Sequence, residues 1–282
     1  RRDPPRRRPR RGPTTVILAA MPEGHTIHRL ADDLAATLAG GPVTATSPQG
    51  RFADGAALIS GEPLVRSDAY GKYLFCEFGG GVLLHVHLGL IGKFRPQPPD
   101  APAGDTIRLR LENDRVAWHL TGPARCDLVD PGEKAAITAH LGPDPLRRSA
   151  DARRFGERLG RTTKPIGATL LDQQVIAGIG NVYRAEILFL RGIHPLRPSS
   201  SLSADEIDGL WVEARRQLRR GVRLNRIVTT DPREIGRPLA RIEGDDRLYV
   251  YHRSHCRRCG TELRTIEVGG RPLQFCPVHQ PD

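Results

Sequence analysis

The sequence predicts an α+β protein: an N-terminal antiparallel β-sandwich with a leading helix, then a helical region, then a metal-binding hairpin. Three observations carry the prediction. Short strand-like runs at 43–46, 57–59, 64–67, 73–78, 82–88, 107–112 and 115–120 are broken by Gly, Pro and Asp. Alternation interrupted in this way argues for a sandwich or barrel rather than a βαβ fold. Beyond Gly142-Pro143-Asp144-Pro145 the apolar residues fall at helical spacing. Finally, Cys256-x-x-Cys259 is followed, after sixteen residues, by Cys276-x-x-His279, the spacing of a tetrahedral zinc site.

Composition narrows the function. A length of 282 residues allows two cores. Mean hydropathy is −0.40, and no apolar run approaches the ~18 residues of a membrane-spanning helix. The net charge of +11 points to a polyanionic partner. Residues 1–20 hold seven arginines and one aspartate, so residues 21–282 carry only +5. Only Lys72, Lys93, Lys134 and Lys164 are lysines among the 43 basic residues. In a chain so biased towards arginine, a lysine is a candidate for a task that requires losing a proton. Five cysteines, three of them near the C-terminus, suit a metal site in a reducing compartment better than a disulfide framework.

In order, residues 1–20 form an arginine- and proline-rich stretch that cannot pack and is expected to be disordered and foreign to the native protein. Met21 is the only methionine. Its removal would leave Pro22 with a free secondary amine, a nucleophile near neutral pH able to form an iminium. Glu23 beside it is placed for proton transfer. Helical periodicity follows over 26–38, closed by Gly40 and Gly41. Lys72 sits in a tight turn between two strand runs. His85 and His87 share a strand face without a third metal ligand nearby, which favours structural roles. Leu90 stands between glycines on a loop, and the segment 95–105 reads as a Pro-rich surface loop. Arg125 ends a second turn, Gly122-Pro123-Ala124. Helical runs are expected at 150–159, 166–174 and 182–191, with Asn181 capping the last and offering its amides to a phosphate. Ser203 and Glu206 form a capping box. Arg271 lies at the tip of the hairpin between the two ligand pairs, suited to a phosphate.

Residues 21–31, MPEGHTIHRLA, and 170–186, LLDQQVIAGIGNVYRAE, resemble the bacterial formamidopyrimidine-DNA glycosylase/endonuclease VIII family. The resemblance extends over residues 21–280, and Gly24 looks like the endonuclease VIII branch found in actinobacteria. It implies a catalytic β-sandwich at 21–140, a helix–two-turn–helix DNA-binding domain at 141–250 and a zinc finger at 251–282. It implies a bifunctional DNA glycosylase/AP lyase that excises oxidised bases, mainly pyrimidines, and cuts by β,δ-elimination. Pro22, Glu23 and Lys72 would be catalytic. Leu90 and Arg125 would fill the space left by the everted base, and Lys164, Asn181 and Arg271 would hold phosphates. One structural zinc per chain would sit on Cys256, Cys259, Cys276 and His279, where His279 replaces the family's usual cysteine. The expected partner is damaged double-stranded DNA, and the expected protein is a monomer of the bacterial cytoplasm, associated with the nucleoid. A zinc-containing DNA-binding protein without chemistry is the alternative, followed by an RNA-associated basic protein.

Overall fold

The structure, a computed structural model, describes residues 22–282; the stretch 1–20 and Met21 lie outside the described residues. Helix α1 (Gly24–Leu38) buries Ile27, Leu30, Ala31, Leu34 and Leu38, the stripe expected from 3.6-residue periodicity. Its N-cap is Glu23, whose carbonyl takes the first helical amides while its side chain points elsewhere.

Next come β1 (Thr44–Thr46), α2 (Ala53–Ile59), β2 (Leu64–Tyr70), β3 (Tyr73–Phe78), β4 (Leu83–His87), β5 (Lys93–Gln97), β6 (Ile107–Glu112), β7 (Ala117–Thr121) and β8 (Arg125–Val129). They form two four-stranded antiparallel sheets, ordered β1-β6-β7-β5 and β2-β3-β4-β8. One apolar cluster, including Leu74, Leu84, Val86, Leu109, Leu111, Trp118 and Leu120, lies between them with the inner face of α1.

Three expectations are corrected here. The run 57–59 is the end of α2, where Ala56 and Ile59 are buried at i, i+3. Two strands were hidden. The Pro-rich segment 95–105, expected as a surface loop, begins within edge strand β5, and Arg125 opens edge strand β8 rather than ending a turn. Both are five-residue edge strands: in β5 only Phe94 is buried, and in β8 Cys126 and Leu128 reach the core only partly buried, so each carries a weaker apolar signal than a central strand.

The second half holds α3 (Pro131–Ala139), α4 (Ala152–Gly160), α5 (Ile166–Thr169), α6 (Asn181–Arg191), α7 (Ala204–Leu224) and α8 (Pro232–Ile235), then β9 (Arg264–Glu267) and β10 (Pro272–Phe275) as the C-terminal hairpin. The Ser203–Glu206 capping box opens α7. The helix expected over 166–174 stops at Thr169 and continues as turns. Asn181 is the first helical residue of α6, and its N-cap is Gly180. A second apolar cluster joins α4, α6 and α7 to the hairpin. The passage 141–145 between the halves is buried rather than loose. Asp144, 1% exposed, accepts bonds of 2.7 Å from Gly71 N and His28 Nε2. No helix among the described residues is long and apolar enough to cross a membrane.

Candidate active site and metal centre

Three backbone segments meet where the two halves touch: the start of α1, the β2–β3 turn and the turn before α6. Gly24 N donates to Gly178 O at 2.8 Å. A Cβ built on Gly178 would lie 3.3 Å from Gly24 Cα and 3.6 Å from Gly71 Cα, and its φ of +94° is a glycine conformation. The backbones therefore approach as closely as they can, and each glycine has a site candidate next to it or nearby: Glu23 and Lys72, expected to be catalytic, and Asn181, expected to hold a phosphate.

Glu23 is completely buried. Its carboxylate receives Gly180 N at 2.8 Å, Val182 N at 2.9 Å and Tyr183 N at 3.4 Å, the free amides at the N-terminus of α6. Gly180 is required here, because a Cβ would fall 2.5 Å from Glu23 Cδ. Burial pushes the Glu23 carboxyl above its ordinary value, against the pull of Lys72 and the three amides. A carboxyl shifted this way is better suited to giving a proton than one at its ordinary value. Pro22, next to it, is half-buried. Burial lowers Lys72; Glu23 opposes that shift and the Arg271 charge adds to it. Lys72, Glu23 and Arg271 therefore share one electrostatic neighbourhood. The Lys72 backbone is fixed by His87, whose Nδ1 lies 3.0 Å from Lys72 O. That gives His87 the structural role expected of it.

Helix α6 connects this neighbourhood to the hairpin. Asn181 Nδ2 donates to Pro272 O at 3.3 Å, and its buried Oδ1 has no hydrogen-bond partner. Arg184, 0% exposed, donates through Nη1 to Gly167 O and Val268 O at 2.8 Å, and through Nη2 to Arg271 O at 3.1 Å and Pro272 O at 3.3 Å. The carbonyls on both sides of the hairpin tip are thus held by one buried guanidinium. Glu186, also completely buried, receives Tyr249 N, Val250 N and Tyr251 N at 2.8 Å, and Thr229 Oγ1. It fixes the turn segment that carries Tyr251, whose hydroxyl feels Asn181, Glu23, Arg184 and Arg271. Arg184, Glu186, Tyr251 and Asp144 are the residues sequence reasoning missed. The one available signal was two opposite charges inside the apolar run of α6.

Leu90 is 60% exposed and Ile91 77%, so the loop between β4 and β5 presents two apolar side chains outward. That loop lies against the one preceding Arg125, since a Cβ on Gly89 would sit 2.8 Å from Ala124 Cβ. Arg125 is exposed, with Asp127 at 3.7 Å. Lys164 is exposed before α5, and no contact draws it into the cluster.

Cys256, Cys259, Cys276 and His279 place one ligand atom each within 4.8 Å of one another. Cys259 Sγ and Cys276 Sγ are 3.6 Å apart, and His279 Nδ1 is 3.4 Å from Cys276 Sγ and 3.9 Å from Cys256 Sγ. Tetrahedral ligands at Zn–S of ~2.3 Å stand about 3.7 Å apart, so the set fits zinc, with Nδ1 as the histidine donor.

Comparisons with known proteins agree along the chain. Residues 21–158 match the family model described as formamidopyrimidine-DNA glycosylase N-terminal domain, 141–232 its H2TH domain, and 254–278 a zinc finger found in FPG and IleRS. The chain is 42% identical to endonuclease 8 1 of Mycobacterium tuberculosis over 92% of its own length and all of that protein. It is 32% identical to a formamidopyrimidine-DNA glycosylase of Thermomicrobium roseum, covering 93% of this chain and 98% of that one. Among solved structures, Lactococcus lactis Fpg in complex with an oxidised-pyrimidine-containing DNA superposes with a TM-score of 0.77 at 26% identity, covering 93% of this chain and 100% of that one. The same protein with abasic-site DNA gives 0.75 at 26% identity, with 92% and 100% covered.

Proposed function

The chain belongs to the formamidopyrimidine-DNA glycosylase/endonuclease VIII family of DNA repair glycosylases, and from that footing we propose a bifunctional glycosylase/AP lyase acting on oxidised bases, mainly pyrimidines, in duplex DNA. The observation that carries the reading is Glu23: a fully buried carboxyl, held by the N-terminal amides of α6, its proton affinity raised by burial, adjacent in sequence to Pro22.

The Pro22 nitrogen attacks C1′ of the everted nucleotide. Glu23 gives its proton to the ring oxygen, the ring opens, and the base departs. The iminium acidifies C2′. Loss of that proton expels the 3′ phosphate, and a second elimination releases the 5′ side. Lys72 faces the phosphate nearest this centre. Asn181 and Arg271 hold phosphates beside it and Lys164 holds one further out, which positions the duplex without reading its sequence. Leu90, with Ile91, and Arg125 enter the stack as the base leaves it. Zinc, held by Cys256, Cys259, Cys276 and His279, supplies no chemistry; it keeps the hairpin folded so that Arg271 is presented. In the 282-residue sequence Pro22 follows Met21, so its nitrogen is an amide there. The proposal therefore includes Pro22 as the first residue of the working protein.

Borohydride trapping tests it. Protein beginning at Pro22, mixed with abasic-site duplex, should give a reduced cross-link that peptide mapping places on Pro22. Absence of any cross-link on abasic DNA that the protein binds would leave the zinc-containing DNA-binding protein as the reading.

A further inference from the structure

We propose that Lys72 is a second imine-forming nucleophile of this site, able to cut abasic DNA while the nitrogen of Pro22 is engaged in a peptide bond. This rests on the reading that the space beside Glu23 receives an abasic deoxyribose, and not on Pro22 being a nucleophile.

Three observations converge on it. The first is position. Lys72 follows Gly71, whose backbone packs on Ala177 and Gly178 at the meeting point of the two halves. A Cβ on Gly71 would lie 2.9 Å from Ala177 Cβ. The turn is pinned on both sides, by Asp144 on Gly71 N at 2.7 Å and by His87 on Lys72 O at 3.0 Å. The ammonium is therefore delivered from a rigid turn into the neighbourhood of Glu23 and Arg271. The second is the state of the amine. Among the described residues, Lys134 pairs with Asp68 at 3.6 Å. Lys72 has no such partner, and the groups that act on it are Glu23 and Arg271. Burial lowers its affinity for a proton and Arg271 lowers it further, although Glu23 opposes both. A desolvated lysine next to another cation is how an amine becomes a nucleophile near neutral pH. The third is residue choice. The chain uses 39 arginines and four lysines. Arginine would serve a phosphate as well or better through its fork, but a guanidinium cannot condense with an aldehyde.

The step balances within the site. The Nζ lone pair adds to the C1′ aldehyde of the ring-opened abasic sugar. The resulting carbinolamine loses its hydroxyl as water, with a proton supplied by Glu23, and leaves a protonated imine. Glu23, now a carboxylate, accepts the C2′ proton, and the C3′–O bond breaks to release a strand ending in 5′ phosphate. Water then hydrolyses the imine, returning Lys72 and the unsaturated aldehyde. The water lost at condensation is regained, and no oxidant or reductant takes part.

The test uses the full 282-residue chain, its Met21–Pro22 bond verified by intact mass, with abasic-site duplex and borohydride. The expected result is a reduced adduct that peptide mapping places on Lys72, together with cutting of the strand. Lys72→Arg in the full chain should reduce the adduct to background while abasic DNA is still bound. A full chain that fails to bind, binds without cross-linking, or is trapped on its first residue or on any other lysine overturns the proposal. None of these outcomes bears on protein beginning at Pro22, whose own trapping decides the proline reading.

Discussion

Glu23 concentrates two demands on one side chain. It must be buried to keep a proton, and it must be hydrogen-bonded to be buried at all. Its burial raises its proton affinity while three amides and Lys72 restrain the rise, so its protonated fraction declines as pH climbs through that raised value. Opening an intact damaged nucleotide needs the proton; an abasic site already offers an aldehyde. Where both reactions run through the Pro22 amine, the ratio of base excision to abasic cutting cancels that amine and reports on Glu23. Measured on paired substrates from about pH 5 to 9, on either side of the ~7.7–8.0 of an α-amine, that ratio should be level at the acid end and fall towards the alkaline end. Glu23→Gln should lower it by ~10²–10⁴ and remove its pH dependence. A ratio unaffected by the substitution would take the acid role away from Glu23.

Among the elements, α6 binds one functional group after another along its length. Its first amides hold Glu23, Arg184 holds the hairpin tip, Glu186 holds the turn of Tyr251, and Phe189 packs against His279 and Tyr249. Arg271 alone, replaced by Ala, should weaken DNA binding by about 1.5–3 kcal/mol, as expected for a lost hydrogen bond to a charged group. Arg184→Ala removes no DNA contact yet should weaken binding too, because the carbonyls of Val268, Arg271 and Pro272 lose their common donor. If Arg184 acts through Arg271, the double substitution should cost little more than the larger single one, with metal content unchanged. Additive losses would show that Arg184 serves some other part of the interface.

At the scale of the whole molecule, zinc and DNA affinity should be linked, since the hairpin that carries Arg271 lies between Cys256-x-x-Cys259 and Cys276-x-x-His279. Metal analysis should find one zinc per chain. Its removal by a chelator should reduce DNA affinity and lower the slope of log K against log salt by about 1, the loss of one phosphate contact. Protein purified without chelator and found free of zinc would remove the site. The sandwich, the leading helix and the metal ligands were legible because each is recorded in local spacing. The edge strands β5 and β8 were not, because each is five residues long with only one or two apolar side chains turned to the core. Arg184, Glu186 and Asp144 escaped for a different reason. Their partners are largely backbone groups, and the Arg184 bond to Val268 spans 84 positions, so no local pattern could record them. The long reach of Glu23 also has a consequence for synthesis. Its amide donor at Gly180 lies 157 residues further along the chain. At ~5–20 residues per second on the ribosome, the acid waits about 8 to 30 s for the groups that make it one. Until then Glu23 lacks the buried, hydrogen-bonded surroundings that raise its proton affinity, and acid-dependent opening of an intact damaged nucleotide has to wait for them.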